Sequence, residues 1–150
     1  MIQPSRDDFH ALAANHRVVP VWRELVADLT TPLAAFARVV GDDSGFLLES
    51  VDKGERWSRY SFAGRSPIAT LTARGAQVDI DGELPVDIPT DSGILAALES
   101  LLDQLSAPVI EGLPPLQGGV VGYLGYDVVR EVEKLPDVPR DDLGLPDAIL

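Results

Sequence analysis

The apolar positions change period several times along the chain, and each change predicts a new element. Between Arg6 and Asn15, Phe9, Leu12 and Ala13 recur at helical spacing. Ser5 stands where it can cap that helix, and Asp7 and Asp8 fall in its first turn, where the helix dipole favours negative charge. "VVPVWREL" (Val18 to Leu25) is rich in β-branched and aromatic residues and predicts a strand; Pro20 cannot donate to a ladder, so it predicts an edge or a bulge. "TTPLAAFARVV" predicts a second helix, with Thr31 as N-cap, Pro32 at the first helical position and Gly41 as its end. From Gly45 to Val51 the period becomes that of a strand, followed by a charged turn around Asp52, Lys53 and Gly54 and a return strand near Arg59 to Gly64.

Beyond Pro67 the alternation continues as a meander, "IATLTARGAQVDIDGE", with its turn at Arg74 and Gly75. The helix from about Ser92 to Leu105 carries the clearest periodicity: Ile94, Leu95, Leu98, Leu101, Leu102 and Leu105 form one continuous apolar face, with Asp91 or Ser92 as the expected cap. "QGGVVGYLGYDVV" reads as a glycine-interrupted strand running into a short helix, "DVVREVEKL". Ala148, Ile149 and Leu150 begin a further apolar strand at the last residues, the pattern of a chain that is cut at Leu150 rather than finished. Meandering strands with helices between them predict an α+β fold of mostly antiparallel sheets with packed helices.

Composition narrows the partners. The 150 residues are 45% hydrophobic and 24% charged, which is globular composition. A formal net charge of −12 gives no basic face for nucleic acid and disfavours an anionic membrane surface. The absence of cysteine excludes disulfides, thiolate nucleophiles and cysteine metal sites, and suits a cytoplasmic location. No apolar run approaches the ~20 residues that span a bilayer, and the first residues lack the apolar core of a signal peptide.

Candidate chemistry is sparse. His10 and His16 lie six apart, not at the spacing of paired ligands on a helix, and no carboxylate completes a metal set. The glycines of "GGVVGYLGYD" are spaced GxxGxxG without a lysine, which fits close backbone approach better than phosphate binding; Tyr123, Tyr126 and Asp127 beside them could line a site. Asp42–Asp43 and Asp141–Asp142 read as solvated turns. "LLES" is different, because it ends an apolar strand in a carboxylate and a hydroxyl, Glu49 and Ser50. Strand alternation puts these two on opposite faces, so either they finish a strand at the surface or they hold a ligand at its end, with Tyr60 on the returning strand. A carboxylate, a hydroxyl and an aromatic ring together suit a zwitterionic, partly apolar ligand such as an amino acid.

Four separated blocks, "VPVWREL", "TPLAAFARVV", "FLLESVDKGERWSRYSFAGRSP" and "GGVVGYLGYDVVREVEKLP", resemble the amino-terminal region of anthranilate synthase component I, in order and spacing, from about Val18 to Leu150. The resemblance implies a subunit that converts chorismate, with ammonia or with glutamine through a glutamine amidotransferase subunit, into anthranilate and pyruvate, using Mg²⁺. It implies that residues 1–150 are the amino-terminal regulatory region, that "LLES" belongs to the feedback site for L-tryptophan, and that Ser50 contacts the inhibitor, with Glu49 and Tyr60 as further contacts. It also implies that the chorismate and Mg²⁺ residues lie beyond Leu150, so that this segment carries no catalytic residue, binds no metal and does not catalyse the reaction alone. Aminodeoxychorismate synthase and a stand-alone amino-acid-binding regulatory module are the alternatives.

Overall fold

A computed structural model describes residues 1–49, 60–137 and 140–150. The chain divides into two units, Met1–Pro67 with Ala107–Gly118, and Ile68–Ser106 with Gly119–Leu150. Both are α+β, and among the described residues the strands within each unit pair antiparallel.

The first unit begins with α1 (Arg6–Ala13), capped as expected: Ser5 Oγ accepts from the Asp8 N–H at 3.2 Å and donates to the Asp8 carboxylate at 2.6 Å. α2 (Pro32–Val39) starts the same way, with Thr31 Oγ1 accepting from the Ala34 N–H at 3.2 Å and Pro32 in the first turn. The strand expected over Val18 to Leu25 is not formed. That stretch contributes one antiparallel bridge, in which Gln3 and Trp22 exchange two backbone hydrogen bonds of 2.8 Å. Pro20 withholds the donor that would carry the ladder one step further. β1 (Gly45–Glu49) and β2 (Ser61–Arg65) form a two-stranded ribbon, against which α2 packs.

In the second unit the order in space is β4 (Gln77–Gly82), β3 (Ala69–Arg74), β6 (Ala148–Ile149), β5 (Tyr123–Leu124). β6, the last element in the chain, lies between β3 and β5, and Leu150 extends the pairing by exchanging backbone hydrogen bonds of 2.8 and 2.9 Å with Leu71. α3 (Ile94–Gln104) covers the sheet face that carries Leu71, Ala73, Val78 and Ala148. Ile94 and Ala97 are fully buried there, Val128 joins them, and Leu95 and Leu98 pack at the margin. Full burial of one such aliphatic side chain is worth about 1.5–3 kcal/mol.

Two features of this unit depart from the sequence expectation. The segment expected as a helix after "GYLGY" is a 3-10 helix, Tyr126–Glu131, in which Arg130 Nε bonds the Asp127 carboxylate at 2.8 Å across three residues. And α3 is capped by neither Asp91 nor Ser92: its N-cap is Gly93, and the Ser92 hydroxyl is turned to the Asp91 carboxylate at 3.0 Å. The expected close approach around the glycines of "GGVVGYLGYD" is found at Gly122, where a Cβ would collide with the Ile149 carbonyl, and at Gly125, where it would lie 2.9 Å from the Asp147 carbonyl.

Candidate functional site

The register of the ribbon decides where the sequence-derived site residues fall. Glu49 stands opposite Ser61, Leu48 opposite Phe62, and Phe46 opposite Gly64. Opposed residues in an antiparallel pair point to one face, so Phe46, Leu48, Phe62 and Gly64 share a face, and Leu47, Glu49, Ser61 and Ala63 share the other. The side chains agree: the Phe46 ring occupies the space that a Cβ at Gly64 would need.

Tyr60 immediately precedes Ser61, at the same end of the ribbon as Glu49. Its ring centroid lies 6.1 Å from that of Phe62, so it belongs to the Phe62 face. Tyr60 is 42% exposed and Glu49 is exposed. The two residues are therefore brought to one end but to opposite faces. A single ligand that takes both side chains must straddle the end of the ribbon rather than lie on either surface. Ser50, the third residue of the expected site, lies outside the described residues, as does the turn that follows it.

The opposite end of the ribbon is tied down. Arg65 Nη1 donates to the Val39 carbonyl at 2.8 Å, satisfying an acceptor in the last turn of α2. Arg65 also faces Asp43 at 3.8 Å, but both side chains are more than half exposed, and such a pair contributes about 0–1 kcal/mol.

The second unit contains a cleft of about 840 Å³, lined in part by Tyr123, Tyr126, Asp127 and Glu131. Tyr123, Tyr126 and Asp127 are the residues that the sequence suggested could line a site. Glu131 was not legible in the same way. Its two carboxylate oxygens accept from the N–H groups of Ile94 and Leu95 at 2.8 and 2.9 Å, so a side chain 36 or 37 residues downstream caps α3. Gly93 makes room for it: its φ is +87°, and a Cβ there would sit 2.5 Å from the carboxylate. The only local signal was Gly93, a glycine standing directly after the two expected caps, Asp91 and Ser92.

No group of three histidine, aspartate or glutamate residues converges as a metal site among the described residues. Among them, too, no helix is long and apolar enough to cross a membrane.

The chain is thus an α+β protein of antiparallel sheets that offers a ribbon end and a separate cleft. No protein-family model matches it. Over 97% of its length it is 46% identical to anthranilate synthase component 1 of Mycolicibacterium smegmatis, of which it covers 28%. It is 47% identical to the protein of that name from Mycobacterium tuberculosis, again over 97% of the chain and 29% of the relative. All of it aligns with anthranilate synthase component 1 of Arthrobacter globiformis at 40% identity, covering 28% of that protein. Over the segment it spans, the chain is similar to these proteins named anthranilate synthase component 1. It spans somewhat under a third of the length of these relatives.

Proposed function

We propose that these 150 residues are the amino-terminal regulatory region of an anthranilate synthase component 1, and that the end of the β1–β2 ribbon is part of a feedback site for L-tryptophan. The observation that carries the reading is identity of 40–47% with proteins of that name along essentially the whole chain. Those names favour it over aminodeoxychorismate synthase. In this reading the enzyme is a cytoplasmic lyase that makes anthranilate and pyruvate from chorismate, taking ammonia directly or from a glutamine amidotransferase subunit. Mg²⁺ serves that chemistry; the described residues supply no converging ligand set for it, so no step is assigned to it in this segment.

The ribbon end suits the inhibitor in kind. Glu49 can pair with an ammonium group, Ser50 can hydrogen-bond a carboxylate or an amine, and Tyr60 offers an aromatic face continuous with Phe62. In magnitude it is incomplete. Burying the ~150–250 Å² of an indole side chain is worth roughly 4–6 kcal/mol. Micromolar affinity needs about 8 kcal/mol net. A carboxylate as exposed as Glu49 adds at most about 1 kcal/mol, and a hydroxyl such as Ser50 contributes about 1 kcal/mol. Tight binding therefore calls for additional surface closing over the indole.

Inhibition itself requires that tryptophan bind one conformation better than another, since equal affinity shifts nothing. By linkage, chorismate weakens tryptophan binding by the factor by which tryptophan weakens chorismate binding.

The test is Ser50→Phe in an enzyme that carries this segment joined to a chorismate-binding part, with anthranilate fluorescence as the readout. The tryptophan concentration for half-inhibition should rise at least about tenfold, as loss of about 1.4 kcal/mol of binding requires. An unchanged inhibition curve would rule out the site.

A further inference from the structure

The end of the ribbon remote from Glu49 and Tyr60 is where its position is set. There Gly45 stands opposite Arg65, and both meet the C-terminal end of α2. Among the described residues, the bond of 2.8 Å from Arg65 Nη1 to the Val39 carbonyl is the one hydrogen bond between α2 and the ribbon. Gly45 lets the two elements close: a Cβ there would lie 2.7 Å from the Val40 side chain and 2.5 Å from the Gly64 carbonyl. Val40 itself is 4% exposed. A guanidinium on an open helix-end carbonyl, beside a glycine that admits a buried valine, makes a fixed junction.

From that junction the ribbon runs four residue steps to the pair of Glu49 and Ser61, about 13 Å at the rise of an antiparallel strand. A tilt of about 10° at the junction moves the far end by roughly 2 Å, whereas a binding constellation has to be held to about 0.5 Å. Pairing within the ribbon does not correct such a tilt, because β1 and β2 are bonded to each other and move together. The pose of Glu49 and Tyr60 therefore depends on the contact with α2.

We propose that Arg65 is a positioning residue of the regulatory site, acting through the ribbon rather than on the ligand: it holds the ribbon end in the arrangement that tryptophan binds. The inference rests on the reading of that end as a tryptophan site. Without the bond to Val39 the fitting arrangement is one of several, and apparent affinity falls with the fraction of molecules that keep it. One hydrogen bond shifts such a population about two- to tenfold.

The test is Arg65→Ala in an enzyme that carries this segment joined to a chorismate-binding part, beside Arg65→Lys, Asp43→Ala and Ser50→Phe, with anthranilate fluorescence as the readout. The Arg65 side chain is 52% exposed, so its removal leaves Val40 in place. Half-inhibition of Arg65→Ala should need about two- to tenfold more tryptophan, while kcat and the KM for chorismate without tryptophan stay unchanged. Arg65→Lys keeps a donor for the Val39 carbonyl and should restore most of the inhibition. Asp43→Ala removes only the exposed pair at 3.8 Å and should leave inhibition intact. An unchanged or lower half-inhibition concentration in Arg65→Ala, beside a raised one in Ser50→Phe, would overturn the positioning role and leave the site standing. No change in either variant would remove the site and this inference with it. A loss of uninhibited kcat in Arg65→Ala that matches its loss of inhibition would mark a merely structural contact and overturn the proposal too.

Discussion

The cap on α3 is the contact whose removal has the most specific consequences. Both oxygens of Glu131 are engaged, at 2.8 and 2.9 Å, and one of the two donors belongs to Ile94, whose residue is fully buried. Loss of a side-chain cap typically costs ~1 kcal/mol, and loss of a carboxylate from a helix N-terminus a further ~0.3–1 kcal/mol. A buried donor left without a partner costs about 1–3 kcal/mol. These terms overlap, and Glu131 is itself partly in water, so Glu131→Ala should destabilise the second unit by about 2 kcal/mol. Glu131→Gln keeps one oxygen acceptor and should lose about half of that. Gly93→Ala reaches the same result from the other side: it puts a Cβ 2.5 Å from the carboxylate and holds a non-glycine residue at φ +87°. That backbone region is essentially confined to glycine, and holding another residue there costs on the order of 1–3 kcal/mol. Because either change displaces the same carboxylate, the double variant should be less destabilised than the sum, by on the order of 1 kcal/mol.

Displacing the carboxylate opens the N–H groups of Ile94 and Leu95 to exchange. Amide hydrogen exchange at Ile94 and Leu95 reads it directly. A loss of 2 kcal/mol should lower their protection about 30-fold relative to the wild type, with smaller changes at Ser61 to Arg65. Full protection at Ile94 in Glu131→Ala, or strict additivity of the two variants, would refute the capping account.

Gly122→Ala should be among the most damaging single-methyl additions, because its Cβ meets the Ile149 carbonyl, which has no side-chain freedom with which to yield; the urea midpoint of the circular-dichroism transition should fall by an amount equivalent to about 1–3 kcal/mol. Ile94→Ala empties a fully buried position and should cost about 2–5 kcal/mol by the same measurement. Thr31→Ala removes the α2 cap and should lower stability by ~1 kcal/mol, with Thr31→Ser restoring most of it. Asp43→Ala should change stability by no more than about 0.5 kcal/mol, whereas Arg65→Ala, which also frees the Val39 carbonyl, should cost about 1 kcal/mol.

What was legible in the sequence was local. Ser5 and Thr31 cap their helices because a cap needs only a side chain three residues before its donor, and the apolar face of α3 follows from its period. What was not legible depended on distant partners. Asp91 and Ser92 were good caps by position, yet Glu131 occupies that place from 36 and 37 residues away. No pattern along Ala148 and Ile149 says that they lie between β3 and β5. The strand expected over Val18 to Leu25 had the composition but, among the described residues, no neighbour to pair with beyond Gln3. At the ribbon, alternation alone separated Glu49 from Ser50, but only the register, Glu49 with Ser61, assigned Tyr60 to the face away from Glu49.

The two units also differ in how well they are packed, and this bears on the proposed division of labour. Among the described residues, eight buried apolar side chains belong to the second unit, and Val40 is the one in the first. The first unit instead leaves Val21, Leu25, Val26, Leu29 and Leu33 more than half exposed. Local stability follows buried apolar contact, so the described part of the first unit sits at the low end of the stability range within this chain. Elements that must adopt a second arrangement come from that low end, since a well-filled core resists any change of partner. The ribbon has the corresponding construction. Arg65 fastens one end to α2; at the other, Glu49 and Tyr60 are exposed. A ligand that straddles that end and buries these two side chains would favour whichever arrangement of the ribbon it fits better, by its difference in affinity for the two.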